Sequence, residues 1–229
     1  MHIYELTSLP GLVDLGAAPP LTGRELLDRI EGAPRPQALI RALWLHDDLL
    51  QREALLAGEI DSVEPLVLSA AQARNEAPLP DFLGSAEPMS HRPEADSLWE
   101  AYFRHVAQVA EDTGCRFLAV WVGAEVALRN ALAVARARNL GLQPSDYVVA
   151  EDLAEPSVPV ADAIGPWSAA AHPLDGWRAL IRWRWEWTRA HDAWFTFGDD
   201  ELAAYGAKLM LLVQWHRLDK ADPTRRPRG

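Results

Sequence analysis

Three adjoining residues of types that ligate metals, His46, Asp47 and Asp48, are the first candidates for chemistry in this chain. They lie in a stretch with helical periodicity, where neighbours diverge by about 100°. Three in a row cannot all face one ion, so the run reads as structural and no metal is expected. Cys115, the only cysteine, directly precedes a long apolar run. It reads as a small core residue rather than a nucleophile. His105, His172, His191 and His216 show no H-E-x-x-H or related spacing and read as core or exposed histidines. No G-x-x-x-x-G-K-[ST] loop is present, so the chain is not expected to hold nucleotide. No catalytic residue and no cofactor is expected. What remains is a polar trio inside a helix. Glu125 and Arg129 stand four apart in the order that favours an intrahelical ion pair, worth a few tenths of a kcal/mol. Asn130 beside them is able to cross-link helices. The trio is either an ordinary semi-buried pair with a neighbour or a polar cluster that grips a partner.

The helix that carries this trio runs from Phe117 to Gly141. Phe117, Leu118, Trp121, Ala124, Leu128, Ala131, Leu132 and Ala135 make one apolar stripe at helical spacing. Gly114 precedes it and Gly141 follows as a stop. A second strong helix, 93–113, carries Leu98, Trp99, Tyr102, Phe103, Val106, Val109 and Ala110. The tight connection at Gly114 predicts an antiparallel hairpin of the two. Thr22 and Glu25 form a capping box opening a short helix over Arg24 to Glu31. Gln37 to Ala57 is a further helix, with Leu39, Ile40, Leu43, Trp44, Asp47, Leu50 and Ala54 on its buried side and Asp47 the odd polar member. A short helix is expected over Pro65 to Asn75. Asp199 or Asp200 is placed to cap a last helix from Glu201 to Leu218.

Some stretches stay open. Ile181 to Trp187 alternates apolar and charged residues, as a half-buried strand would. Trp177, Leu180, Arg184, Trp187 and His191 also share one helical face, and helix is preferred because no partner strand is evident. Residues 2–6 fit a strand or an extended arm, and Tyr147 to Val149 a strand or a first helical turn. Pro78, Pro80, Pro88 and Pro93 mark residues 77–93 as a surface linker. The chain therefore reads as one all-α domain over 1–229, built of packed antiparallel helical hairpins, with possible sub-lobes 1–76 and 94–222.

Composition narrows the function. The chain has 229 residues, 49% hydrophobic and 24% charged, as in ordinary globular proteins. Its net charge of −11 argues against a general nucleic-acid binder and against attachment to an anionic membrane surface. A lone cysteine fits a reducing compartment. The start carries no basic region leading into an apolar run, so no signal peptide is expected. No uncharged apolar stretch of roughly 18 residues suggests a direct membrane span. Ten tryptophans, concentrated between Trp177 and Trp215, read as core filling or as a docking surface.

Several elements, in order, carry a resemblance. Tyr4 to Glu25 contains Ser8-Leu9-Pro10, Pro19-Pro20 and a following helix, and the next helix bears Leu45-His-Asp-Asp-Leu49. Trp121, Glu125, Arg129 and Asn130 spell W-x-x-x-E-x-x-x-R-N. Trp177 to Leu218 holds a Trp-rich turn, Phe195 or Phe197, Ala204-Tyr205 and Lys208-Leu209. Together they resemble the C subunit (also called d) of rotary V-type and A-type ATPases, and more closely its short counterpart in bacterial V-type ATPase operons. That subunit is a funnel of three helical lobes. This chain is clearly shorter, so the resemblance implies two lobes of a reduced funnel. It further implies a non-catalytic coupling part, with the central-shaft subunits and the proteolipid ring as partners and Glu125, Arg129 and Asn130 as partner-binding residues. The location implied is cytoplasmic, peripheral to the inner membrane through those partners. A stand-alone helical enzyme or small-ligand sensor, its pocket lined by the C-terminal tryptophans, is the alternative.

Overall fold

The computed structural model describes residues 7–84, 94–193 and 196–221. Among these residues it has nine α-helices, two 3-10 turns and no strand, so the fold is all-α. The helices are α1 (Gly23–Arg29), α2 (Pro34–Leu56), α3 (Ala70–Ala73), α4 (Asp81–Gly84), α5 (Glu94–Thr113), α6 (Arg116–Leu140), α7 (Ala161–Ser168), α8 (Pro173–Ala190) and α9 (Asp199–Ala221). The expectations for residues 2–6, for 85–93 of the linker and for Phe195 lie outside the described residues.

Contacts divide the chain into two compact units. One is Met1–Ile40 with Ala161–Gly229, the other Arg41–Val160. This differs from the 1–76 and 94–222 sub-lobes that the proline spacing suggested. The two ends of the chain share a unit because Tyr205 donates to the Pro10 carbonyl, Arg35 pairs with Asp199 and α1 meets α9. Residues 64–84 stay with the second unit. Asp48 and Arg52 of α2 hold Leu66 to Leu68 and Asn75, and α4 packs on α5. Prolines end helices; they do not decide which helices touch.

In the second unit α5 and α6 form the expected hairpin, with Gly114 at φ +61° between them and Cys115 buried at the turn. Trp99, Tyr102, Phe103, Val106 and Ala110 of α5 are buried, while Val109 is half-buried. Burial on α6 extends beyond a single stripe, to Val122, Gly123, Glu125, Val126 and Asn130. The chain crosses α6 at Gly123, where the Glu155 amide donates to the Gly123 carbonyl at 3.2 Å. A Cβ there would stand 3.1 Å from the Glu155 Cβ and 3.3 Å from the Leu153 carbonyl oxygen, so a larger residue would push this crossing segment outward by a few tenths of an ångström. α6 is also long and apolar enough to cross a membrane by length and composition. Its apolar side chains are instead largely buried within the chain. Residues 147–149 form no strand; 3-10 turns at Pro144–Asp146 and Glu151–Leu153 flank them.

In the first unit α8 and α9 run antiparallel. Arg178 near the start of α8 pairs with Asp219 at the end of α9, and Asp192 just beyond α8 pairs with Lys208 in the middle of α9. The alternating stretch 181–187 is helical. Its buried positions, Leu180, Ile181, Arg184, Trp185, Trp187 and Thr188, follow a period near 3.6. α8 opens on His172, whose Nδ1 accepts from the Leu174 amide, with Pro173 in the first turn. α9 begins at Asp199, earlier than expected, so Asp199 and Asp200 lie in its first turn. Glu201, in the same turn, folds back to accept from the Phe197 amide just ahead of the helix at 2.8 Å. Trp44, Trp99, Trp121, Trp185, Trp187 and Trp215 are buried, so most tryptophans serve as core.

Candidate functional site

The second unit holds a run of polar side chains that chemistry would not place in a core without work to do. His46, Asp47, Asp48, Gln51 and Arg52 of α2 are all at most 5% exposed. This part of the helix is buried around most of its circumference, so residues on every face turn inward. Asp47 is one of several buried polar residues here rather than the odd one.

Each of these groups has a traceable task. The Asp48 carboxylate accepts from three successive amides, Leu66, Val67 and Leu68, at 2.9, 2.7 and 2.8 Å. Burial nonetheless pushes its carboxyl up to about 6, outweighing those bonds, with the Asp47 charge adding to the rise. One turn on, Gln51 donates to Asp47 and accepts from the Glu64 amide, both at 2.9 Å. Arg52 donates Nη2 to Asn75, which sits in the left-handed region at φ +60°. The end of α2 thus fastens both flanks of α3 to the unit through side chains, Asp48 taking the Leu66–Leu68 amides before it and Arg52 the Asn75 side chain after it.

His46 faces the other way, into α5 and α6. Its Nε2 lies 3.5 Å from the Glu125 carboxylate, and both side chains are nearly inaccessible. The rings of Trp99, Trp121 and Tyr102 surround it at centroid distances of 5.3, 5.6 and 6.0 Å. Its Nδ1, like the Trp44 indole nitrogen, has no hydrogen-bond partner among the described residues.

The expected intrahelical pair of Glu125 with Arg129 is not what forms. Glu125 meets His46 across helices. Arg129 lies 3.4 Å from Glu53 and 3.5 Å from Asp96, with its guanidinium 4.2 Å over the Trp99 ring. Trp99 in turn donates its indole N–H to Glu53 at 2.5 Å. Charges on other helices lie along each side chain's direction, and long-range pairing wins over a local pair worth only tenths of a kcal/mol. Asn130 does cross-link, though to a loop rather than a helix. It donates to the Val149 carbonyl at 2.8 Å and accepts from the Val149 amide at 2.9 Å. Replacing Asn130 by alanine leaves both groups of a buried residue unpaired, an expected loss of about 2 kcal/mol. Chemical unfolding and limited proteolysis should report it, with new cleavage confined to 142–155. Unchanged stability and an unchanged digest would mean that the loop is held by something else.

The structure therefore brings the sequence candidates into one unit with unequal access. Glu125 and Asn130 are buried, and Arg129 keeps about a quarter of its side chain exposed. Sequence reasoning missed Gln51, Arg52, Glu53 and Asp96, and read Asp48 as structural without seeing the amides it would hold. The signal was present in Asp47-Asp-Leu-Leu-Gln-Arg-Glu53, polar residues repeating on several faces inside an otherwise apolar helix. Among the described residues no group of three His, Cys, Asp or Glu side chains is arranged to hold a metal. Asp48, Gln51, Arg52 and Asn130 are engaged with backbone or with other side chains, an arrangement suited to rigidity. No family model, curated protein or solved structure matches this chain.

Proposed function

We propose that the chain is a non-catalytic coupling subunit of a bacterial V-type ATPase, linking the central rotor shaft to the membrane proteolipid ring. It would work on the cytoplasmic face of the inner membrane, held there by those protein partners. One observation supports this most. Two of the elements that carry the resemblance, Leu45 to Leu49 and Trp121 to Asn130, are far apart in the sequence. Yet His46 and Trp121 stack edge to face, and His46 meets Glu125, in one buried cluster. The residues of both elements serve the stiffness of a helical unit. A part that transmits torque needs stiffness more than an exposed reactive group. Of the three residues assigned to partner binding, Arg129 has the surface with which to make a contact, while Glu125 and Asn130 act through the shape of the unit.

The test is a mild-detergent pull-down of the tagged chain from its own membranes, with retained proteins identified by mass spectrometry. The expected result is recovery of the proteolipid ring with the central-shaft subunits. A clean monomer, from membranes shown to contain the ATPase, would overturn the assignment.

A further inference from the structure

The short helix α4 is seated on α5 by apolar and ring contact. Leu83 is buried, and the Phe82 ring lies on the His105 imidazole of α5 with centroids 3.9 Å apart and planes 19° from parallel. Among the described residues no hydrogen bond or ion pair joins the two helices. The Leu83 and Gly84 amides both donate to the Pro80 carbonyl, so α4 closes on its own turn. Phe82 is 38% exposed, which puts the stack at the edge of the second unit and not in its core.

The half-buried His105 holds its proton less tightly than an ordinary histidine, and burial is the sole cause. The charged groups of the surrounding elements are engaged elsewhere. Arg104 pairs with Glu100 and Asp152, and Asp112 accepts from Gln108. On α6, Glu125 meets His46, and Arg129 meets Glu53 and Asp96. Asp81, next to Phe82, is exposed. No carboxylate therefore compensates an imidazolium under Phe82. The support that His105 gives this contact is present above its ordinary value of 6.5 and is withdrawn as pH falls below it. Asp48 acts with the opposite sign, since acid strengthens its contribution, so a loosening in acid that is confined to α4 does not come from Asp48.

We infer that the Phe82–His105 stack is an acid-sensitive latch, in which protonation of His105 loosens α4 from α5 while the hairpin of α5 and α6 stays closed. The imidazolium regains its hydration when Phe82 lifts, and a helix of four residues without polar ties to α5 opposes that little. Leu83 moves with Phe82 because they share one turn. The hairpin stays because the buried stripe of α5, Trp99, Tyr102, Phe103 and Val106, does not titrate near neutral pH.

The experiment is hydrogen exchange of the full chain at about pH 5 and about pH 8, read by mass spectrometry and corrected for the intrinsic exchange rate at each pH. The Leu83 and Gly84 amides should lose protection in acid, while α5 and α6 keep theirs. His105→Phe retains a ring against Phe82 but cannot titrate, so its α4 should be equally protected at both pH values. Protection of α4 that is unchanged or greater in acid would overturn the inference, the latter by showing that the imidazolium binds the Phe82 face as a cation. An equal loss in His105→Phe would overturn it as well, and so would a loss that spreads through α5. Should His105→Phe fail to fold, Phe82→Ala carries the test through the NMR titration of the His105 ring. Uncovering the imidazole should move that titration up towards the ordinary value, and a titration left in place would mean that Phe82 is not what covers it.

Discussion

Asp48→Ala is expected to destabilise the second unit by about 5 kcal/mol near pH 4 and by about 2 kcal/mol at pH 7. The amides of Leu66, Val67 and Leu68 lose their acceptor together. An unpaired buried donor costs roughly 1–3 kcal/mol, less where water reaches it, and of the three residues only Leu68 is fully buried. The pH dependence follows from the raised carboxyl. A group with a pKa of about 6 in the fold and an ordinary value of 3.8 holds its proton more tightly when folded. Its contribution to stability is complete below about pH 3.8 and is lost as pH rises through 6, about 3 kcal/mol over that interval. Alanine does not titrate, so the difference between wild type and variant narrows as pH rises. Urea unfolding of both proteins at pH 4 and pH 7 measures it. A difference that widens instead would mean that the three amides dominate burial and hold the carboxyl below its ordinary range.

Arg129→Ala is expected to cost about 2–4 kcal/mol. The guanidinium sits between Glu53 and Asp96 and over the Trp99 ring. Its loss removes a cation–π contact of about 0.5–2 kcal/mol and leaves two partly buried carboxylates to repel. Arg129→Lys should recover part of this, since an ammonium keeps the charge but cannot lie flat on the indole while reaching both acids. The same two variants separate the roles open to Arg129. If it holds the fold together, stability falls, and capture of the ring and shaft proteins is unchanged at temperatures where the variant stays folded. If it touches a partner, capture is lost in an alanine variant as stable as wild type. A stable variant with full capture would remove Arg129 from both roles.

Some of this was legible along the chain because the interactions responsible are local, closing within about one helical turn. The Thr22–Glu25 capping box forms as spelled, with the Glu25 carboxylate held below its ordinary range by the Thr22 amide and hydroxyl. Gly141 ends α6 in the left-handed region, with its own amide on the Arg138 carbonyl and that of Leu142 on Ala137. The hairpin of α5 and α6 followed from two apolar stripes and a tight connection at Gly114. Each of these outcomes is settled by local hydrogen bonding and steric preference, and the residue types report on those directly.

The remainder rests on contacts between distant residues, on which local spacing is silent. Helix prevailed at 181–187 because Leu180, Ile181, Arg184 and Trp185 had a neighbouring helix to bury against, whereas the alternation of charges alone fitted a strand equally well. Arg129 chose Glu53, on another helix and far back in the chain, over Glu125 one turn away. Asp48 holds the amides of Leu66 to Leu68, in the front part of a stretch expected to be helical from Pro65, where the helix forms only at Ala70–Ala73. The division into units follows Tyr205 reaching Pro10, from near one end of the chain to near the other, and ignores the prolines between. Helix propensity and capping act within a turn and can be read residue by residue. The choice of partner for a buried charge depends on which desolvated group lies within a few ångströms, and packing alone sets that distance.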